Sequence, residues 1–250
     1  MCRNKGKTEN TGVFHLFLRI EFQKKTWYHR NTRRIRDDIV ATPTGFLSTV
    51  LDANGNQTAT LVASGSNRRA VTIDEIPKNL QHAFVAIEDE RFYEHNGIDV
   101  TGIIRASVKG VASGFHFSEG ASTITQQLLK NTVFTSWTSE SSMADKFERK
   151  FQEQYLALQL EKVVDKDWIL ENYMNAINLG QNTLGVGVAS ERYFGKDVFD
   201  LTLSECVVLA AITQNPSKYN PITNPQENSK RRMKVLNNMK DQGYIWKDSG

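Results

Sequence analysis

The sequence predicts a mostly α-helical domain with a small β-hairpin on its N-terminal side, and three observations predict it. Beyond Ile73, apolar residues recur at the three-and-four spacing of helices with one buried face. Thr123 with Gln126, and Thr202 with Glu205, stand at capping-box spacing ahead of apolar runs. Only residues 45–51 and 57–63 read as β-like, and the Asn54-Gly55 pair between them suits a turn that needs positive φ.

The elements follow in chain order. Residues 1–38 hold ten Lys/Arg against four Asp/Glu, which leaves the rest at −3 in a chain of net charge +3. Basic clusters (Lys24-Lys25, Arg33-Arg34-Ile35-Arg36) mixed with aromatics and lacking any period make residues 1–40 a basic, poorly ordered arm. Such an arm could touch anionic lipid or nucleic acid; a solvated tail is the simpler reading. Residues 41–70 form the hairpin segment. Leu80, Ala83, Phe84 and Ile87 then define a helix that delivers Glu88 near its C-terminal end. Thr123 starts a helix running through Lys130, and a longer one over about 143–163 has Phe151, Tyr155 and Leu158 on one stripe and Arg149 and Glu153 on another.

A helix over about 166–178 is expected to close at Gly180, and a short one within 185–194 at Gly195, both plausible left-handed stops. Thr202 opens an apolar helix that Asn215-Pro216 ends. Residues 71–221 are one domain on this reading, and 222–250 a linker followed by an exposed helix over 229–242.

Hydrophobic residues at 39% and charged residues at 24% exclude a disordered chain and a membrane bundle. The apolar stretch 13–20 is broken by His15 and Arg19, so no membrane anchor is expected, nor does the start read as a signal peptide. Cys2 and Cys206 make no disulfide framework, and Cys206 belongs to an apolar run where packing is its expected role.

Ionisable residues are densest from Glu88 to Asp99, directly after an apolar helix. A carboxylate at that boundary is partly desolvated, which suits it to take a proton from a sugar hydroxyl near neutral pH; a solvated helix end with local ion pairs is the alternative. His95 lacks a second His or Cys at ligand spacing, so a satisfied structural histidine is expected and no metal site. Gly185-Val186-Gly187 lacks the rest of a nucleotide loop, and no nucleotide cofactor is implied. Lys130, Arg149 and Lys150 flank capped helices, where cation and helix end together could hold a diphosphate.

Five ordered segments carry a resemblance: EDERFYEHNGID (88–99), EGASTITQQLLKN (119–131), RKFQE (149–153), ILENYMNAINLG (169–180) and GVGVASERYFGK (185–196). They resemble, in order and spacing, the motifs of peptidoglycan glycosyltransferases, glycosyltransferase family 51, as in class A penicillin-binding proteins. TLSECVVLAAITQNPSKYNP (202–221) looks like that family's closing helix and loop. The resemblance implies a lysozyme-like helical fold and the polymerisation of lipid II into β-1,4-linked glycan with inversion.

By motif position Glu88 would be the general base and Glu153 the glutamate assisting at the diphosphate. Asp89, Phe92, His95, Ser122, Gln126, Lys130, Arg149 and Lys150 would serve substrate binding, and Asn175, Tyr193 and Gly195 would be mainly structural. No cofactor is required, although a divalent cation could assist. The implied partners are lipid II, the growing glycan, the bacterial membrane surface at its extracytoplasmic face, and other cell-wall synthesis proteins, with no nucleic acid. The stretch 132–148 lacks the additional arginine that some family members carry, and neither Ser-x-x-Lys nor Lys-Thr-Gly occurs, so no transpeptidase chemistry is expected from these residues. A glycan hydrolase using the same two carboxylates, or an inactive binding module, are the rival readings.

Overall fold

A computed structural model describes residues 41–61, 67–112, 122–133 and 143–245. The basic arm, most of the stretch 132–142, and the last five residues lie outside them. The expected hairpin forms from β1 (Ser48–Leu51) and β2 (Gln57–Leu61), antiparallel, with Val50 opposite Ala59 and an irregularity before Leu51. Its turn is tied by Asp52, whose Oδ1 accepts from the backbone N–H groups of Asn54 and Asn56 at 2.8 Å, while Gly55 supplies φ +84°.

Eight α-helices follow among the described residues: α1 (Lys78–Glu88), α2 (Val100–Ala112), α3 (Ile124–Thr132), α4 (Met143–Leu160), α5 (Lys166–Ala176), α6 (Val186–Phe194), α7 (Leu203–Ile212) and α8 (Pro225–Asp241). The core is organised around α7. Every residue from Cys206 to Ile212 is buried, as a helix apolar on all sides must be, and α1, α6 and α8 pack against it. Each fully buried Leu, Ile or Phe there contributes roughly 1.5–3 kcal/mol. Burial pushes the Cys206 thiol up to about 12, consistent with a packing role. The Thr202 box is complete, with both reciprocal bonds present.

A second layer of α3, α4 and α5 stands beside it. Thr123 caps α3 by accepting from the Gln126 N–H at 3.2 Å, but the Gln126 side chain does not return to the cap; it turns toward Lys150 instead. Asn175 clamps the entering chain, donating to the Val71 carbonyl at 2.8 Å and accepting from its N–H at 3.0 Å, and Tyr193 donates to the Leu179 carbonyl at 2.7 Å. Gly195 ends α6 in the left-handed conformation as expected.

Four features depart from the sequence reading. Helix α2 occupies a stretch where that reading places no element. Helix α5 ends at Ala176 rather than near Gly180, because Ile177 turns extended and its carbonyl accepts from Gly185 N–H at 2.7 Å. In α4 the stripe of Phe151 and Leu158 faces outward, and Gln152, Glu153, Leu156, Ala157 and Leu160 are buried in its place. Helix α8, expected as an exposed helix after a linker, packs on α1 and α7 through Val235 and Met239, with Asn228 donating to the Val208 and Tyr219 carbonyls.

Candidate active site

Glu88 is the last residue of α1, so the core-packed helix fixes its backbone while its side chain reaches the surface of the layer. Three later elements meet that carboxylate. Gln127 Nε2 donates to Oε2 at 3.0 Å, Thr213 Oγ1 donates to Oε1, and Arg231 Nη2 lies 3.9 Å from Oε1. The Gln127 amide is itself oriented, because the Tyr173 hydroxyl donates to its Oε1 at 3.3 Å. Full burial of Tyr173, then the charges of Glu88 and Asp89, push its phenol well above the ordinary range and keep it a donor.

Glu153 sits on α4 with a side chain only 3% exposed. Arg149, one turn earlier, donates to Oε1, and Lys150 Nζ reaches Oε2 at 3.2 Å. The same ammonium donates to Ser122 Oγ at 2.8 Å and Gln126 Oε1 at 3.0 Å. Two cations therefore converge on one buried carboxylate, and Ser122, Gln126, Lys150 and Glu153 form one bonded set.

Glu88 and Glu153 open on the same cleft, of about 680 Å³. Ser122, Gln126, Gln127 and Lys130 line it from α3 and its cap, Arg105 from α2, and Arg231, Lys234 and Asn238 from α8. Four cationic side chains thus face a space lined by four carboxylates, Glu88, Asp89, Glu90 and Glu153, of which Glu90 is paired with Arg105 at 3.0 Å. Arg149 and Lys150 are not among the lining residues and act on the cleft through Glu153. Arg231 is 10% exposed, its guanidinium 5.1 Å from the Tyr219 ring, and its Nε has no partner.

Of the three residues expected to bind substrate from the loop after Glu88, Phe92 and His95 do not line the cleft, whereas Asp89 does. Phe92 is fully buried in the core. His95 Nδ1 accepts from the Gly97 N–H at 3.2 Å, which leaves Nε2 to donate to the Asp89 carboxylate at 3.0 Å. Asp89 in turn accepts from the Ile124 N–H at 2.9 Å at the head of α3. Asp89 borders the cleft, but its bonds, like those of His95, secure the wall behind it.

Gln127, Thr213, Tyr173 and Arg231 escaped the sequence reading. Gln127 stood next to Gln126 with no signal to choose between them, Thr213 follows an apolar helix, and Arg231 belongs to a stretch read as exposed.

The transglycosylase family profile matches residues 54–240, a span that contains both carboxylates and every lining residue of the cleft. This chain belongs to the transglycosylase family. Penicillin-binding protein 1F of Bacillus subtilis (strain 168) is 46% identical over 199 residues, 79% of this chain and 26% of that protein. Penicillin-binding protein 1A of Clostridium perfringens (strain 13 / Type A) is 46% identical over 192 residues, 74% of this chain and 27% of that protein. The transglycosylase domain thus spans about a quarter of the length of these relatives. A crystal structure of penicillin-binding protein 1A from Haemophilus influenzae aligns with 82% of this chain and 20% of its own at 22% identity and a TM-score of 0.42. Among the described residues of the transglycosylase no helix is long and apolar enough to cross a membrane.

Proposed function

We propose that this transglycosylase domain polymerises lipid II into β-1,4-linked glycan, with Glu88 as general base and Glu153 organising the diphosphate end of the donor. The observation that carries the reading is the shared cleft: two acidic side chains from α1 and α4 on one space lined by Arg105, Lys130, Arg231 and Lys234. An α-linked diphosphate donor and a β-linked product require inversion, hence one in-line displacement. The acceptor 4-hydroxyl attacks the anomeric carbon, its proton passes to Glu88, and the diphosphate departs with the bonding pair.

Donors on both Glu88 oxygens hold the carboxylate in one orientation and leave lone pairs for the acceptor proton. The departing diphosphate gains one negative charge as the bonding pair moves onto its oxygen, and in this reading Lys130 meets it directly while Arg149 and Lys150 act through Glu153. No protein nucleophile and no cofactor is needed, and these cations do the work that a divalent ion could otherwise assist.

The lipid end of the substrate requires a membrane surface, and Val100, Ile104 and Val108 stand exposed in one row on α2, where this reading seats it at the extracytoplasmic face. Other cell-wall synthesis proteins are expected partners there. Incubation with purified lipid II tests the reading. Longer glycan chains are expected, and fragments released from preformed cell-wall sacculi without any polymer would instead assign the cleft to hydrolysis.

A further inference from the structure

Behind the cleft lies a second group of ionisable side chains, and the reaction proposed above uses none of their charge. Asp89, His95 and Glu161 have side chains 2%, 7% and 3% exposed, and Lys166 completes the group at 21%. Glu161, one turn past Ala157, takes Lys166 Nζ at 2.6 Å on Oε2 and the Thr125 hydroxyl of α3 at 2.5 Å on Oε1. Lys166 also donates to the His95 carbonyl at 2.7 Å and stands 4.6 Å from the centre of the Phe92 ring. One ion pair thereby holds three pieces of chain: the head of α5, the first turn of α3, and the loop that follows Glu88.

The geometry of α4 gives this pair a further consequence. Glu153 and Ala157 of α4, and Glu161 just past its end, whose N–H still donates to the Ala157 carbonyl at 3.2 Å, are spaced at successive fours and so share one face. Glu153 opens on the cleft. Against Ala157 lies Gly97, so tightly that a Cβ on it would meet the Ala157 carbonyl oxygen at 2.5 Å. At the far end Glu161 secures His95 through Lys166. The loop from Asp89 to Gly97 is therefore laid along α4 and pinned at two points, and its first residue follows Glu88 directly. The same loop fixes α3, since Asp89 accepts from the Ile124 N–H and the Gly97 carbonyl accepts from Thr123 Oγ1 at 2.8 Å.

We infer that Glu161 and Lys166 are positioning residues, which set the placement of Glu88 relative to Glu153 by fastening the 89–97 loop and α3 to helix α4. This rests on the glycosyltransferase reading for its catalytic consequence. Stability alone is a poor account of the pair, because a buried ion pair is commonly matched by apolar side chains of similar size. Apolar substitutes could not bond to the Thr125 hydroxyl and the His95 carbonyl together.

The test compares Glu161→Gln, Lys166→Met and Lys166→Arg with the unmodified chain. In Glu161→Gln and Lys166→Met, amides of 89–97 and 122–127 are expected to exchange hydrogen about tenfold faster or more, with those of 206–212 in α7 unchanged. Polymerisation should show kcat lowered roughly ten- to hundredfold with KM for lipid II within about twofold, the signature of misplaced groups rather than lost binding. Lys166→Arg should keep most of the activity. Unchanged exchange at those amides, or activity that follows only the folded fraction, overturns the inference. Should Glu161→Gln fail to fold, the double variant Glu161→Gln/Lys166→Met leaves no unpaired buried charge and carries the same expectations. A wild-type chain that makes no polymer sinks the glycosyltransferase reading by itself, and the exchange data still decide the positioning role.

Discussion

Gln127 holds Glu88 across 39 residues of sequence, donating Nε2 to Oε2 at 3.0 Å, and its own amide is oriented by the buried Tyr173 hydroxyl. A chain of donors thus runs from the core to the carboxylate proposed as the base. Tyr173→Phe removes the first donor of that chain without changing the ring. It is expected to lower kcat about five- to tenfold, the worth of one hydrogen bond near 1 kcal/mol, with little change in KM. Steady-state polymerisation kinetics check it.

Glu153 anchors two cations, and its loss should be felt through them. With Glu153→Gln, Arg149 and Lys150 lose their common carboxylate, and Lys150 remains bonded only to Ser122 and Gln126. Turnover should fall by about 10²-fold, the size expected when electrostatic preorganisation at a leaving group is disturbed. A single-turnover assay, which isolates the chemical step, is the measurement to make.

Gly97 has φ +89° and no room for a methyl group beside the Ala157 carbonyl. Gly97→Ala combines left-handed strain with a backbone clash, and an expected loss of about 3 kcal/mol follows. Urea unfolding of the two chains side by side reads it directly.

The Thr202–Glu205 box at the head of α7 gives the protein a pH-dependent contribution to stability. Lys196, and then the Thr202 backbone N–H, pull the Glu205 carboxyl from its ordinary 4.5 down to about 2. A carboxyl depressed in the folded state stabilises it fully above the unfolded value and ceases to do so as pH falls through the folded one. Glu205→Gln should therefore cost about 1 kcal/mol near neutrality, and the gap to wild type should close between pH 4.5 and about 2. Thermal unfolding followed across that range reads the effect.

What could be read in the sequence was what local chemistry determines. Thr123 and Thr202 cap helices within their own next turn, Asn54-Gly55 makes its own turn, and the apolar spacing around Phe84 locates α1 and hence Glu88. Helix α2 was hidden because its apolar row, Val100, Ile104 and Val108, is exposed rather than packed. The packed face of α4 was hidden for the opposite reason, since Gln152 and Glu153 are buried there while Phe151 faces out. Tertiary pairing places the remaining site residues: Thr213 meets Glu88 across 125 residues, and nothing near either residue in the chain announces the other. Helix α8 looked solvated because its mean character is polar, although Val235, Met239 and Asn228 suffice to dock it and bring Arg231 to the cleft.

The proposed reaction depends most on Glu88 as the group that receives the acceptor proton. The direct measurement is the rate of glycan polymer formation from purified lipid II by the wild-type chain and by Glu88→Gln, with thermal unfolding of both recorded alongside. The isosteric amide cannot take the proton, so a fall of at least about 10²-fold with an unchanged unfolding temperature is predicted. A folded Glu88→Gln chain that extends glycan at the wild-type rate would rule out Glu88 as the base.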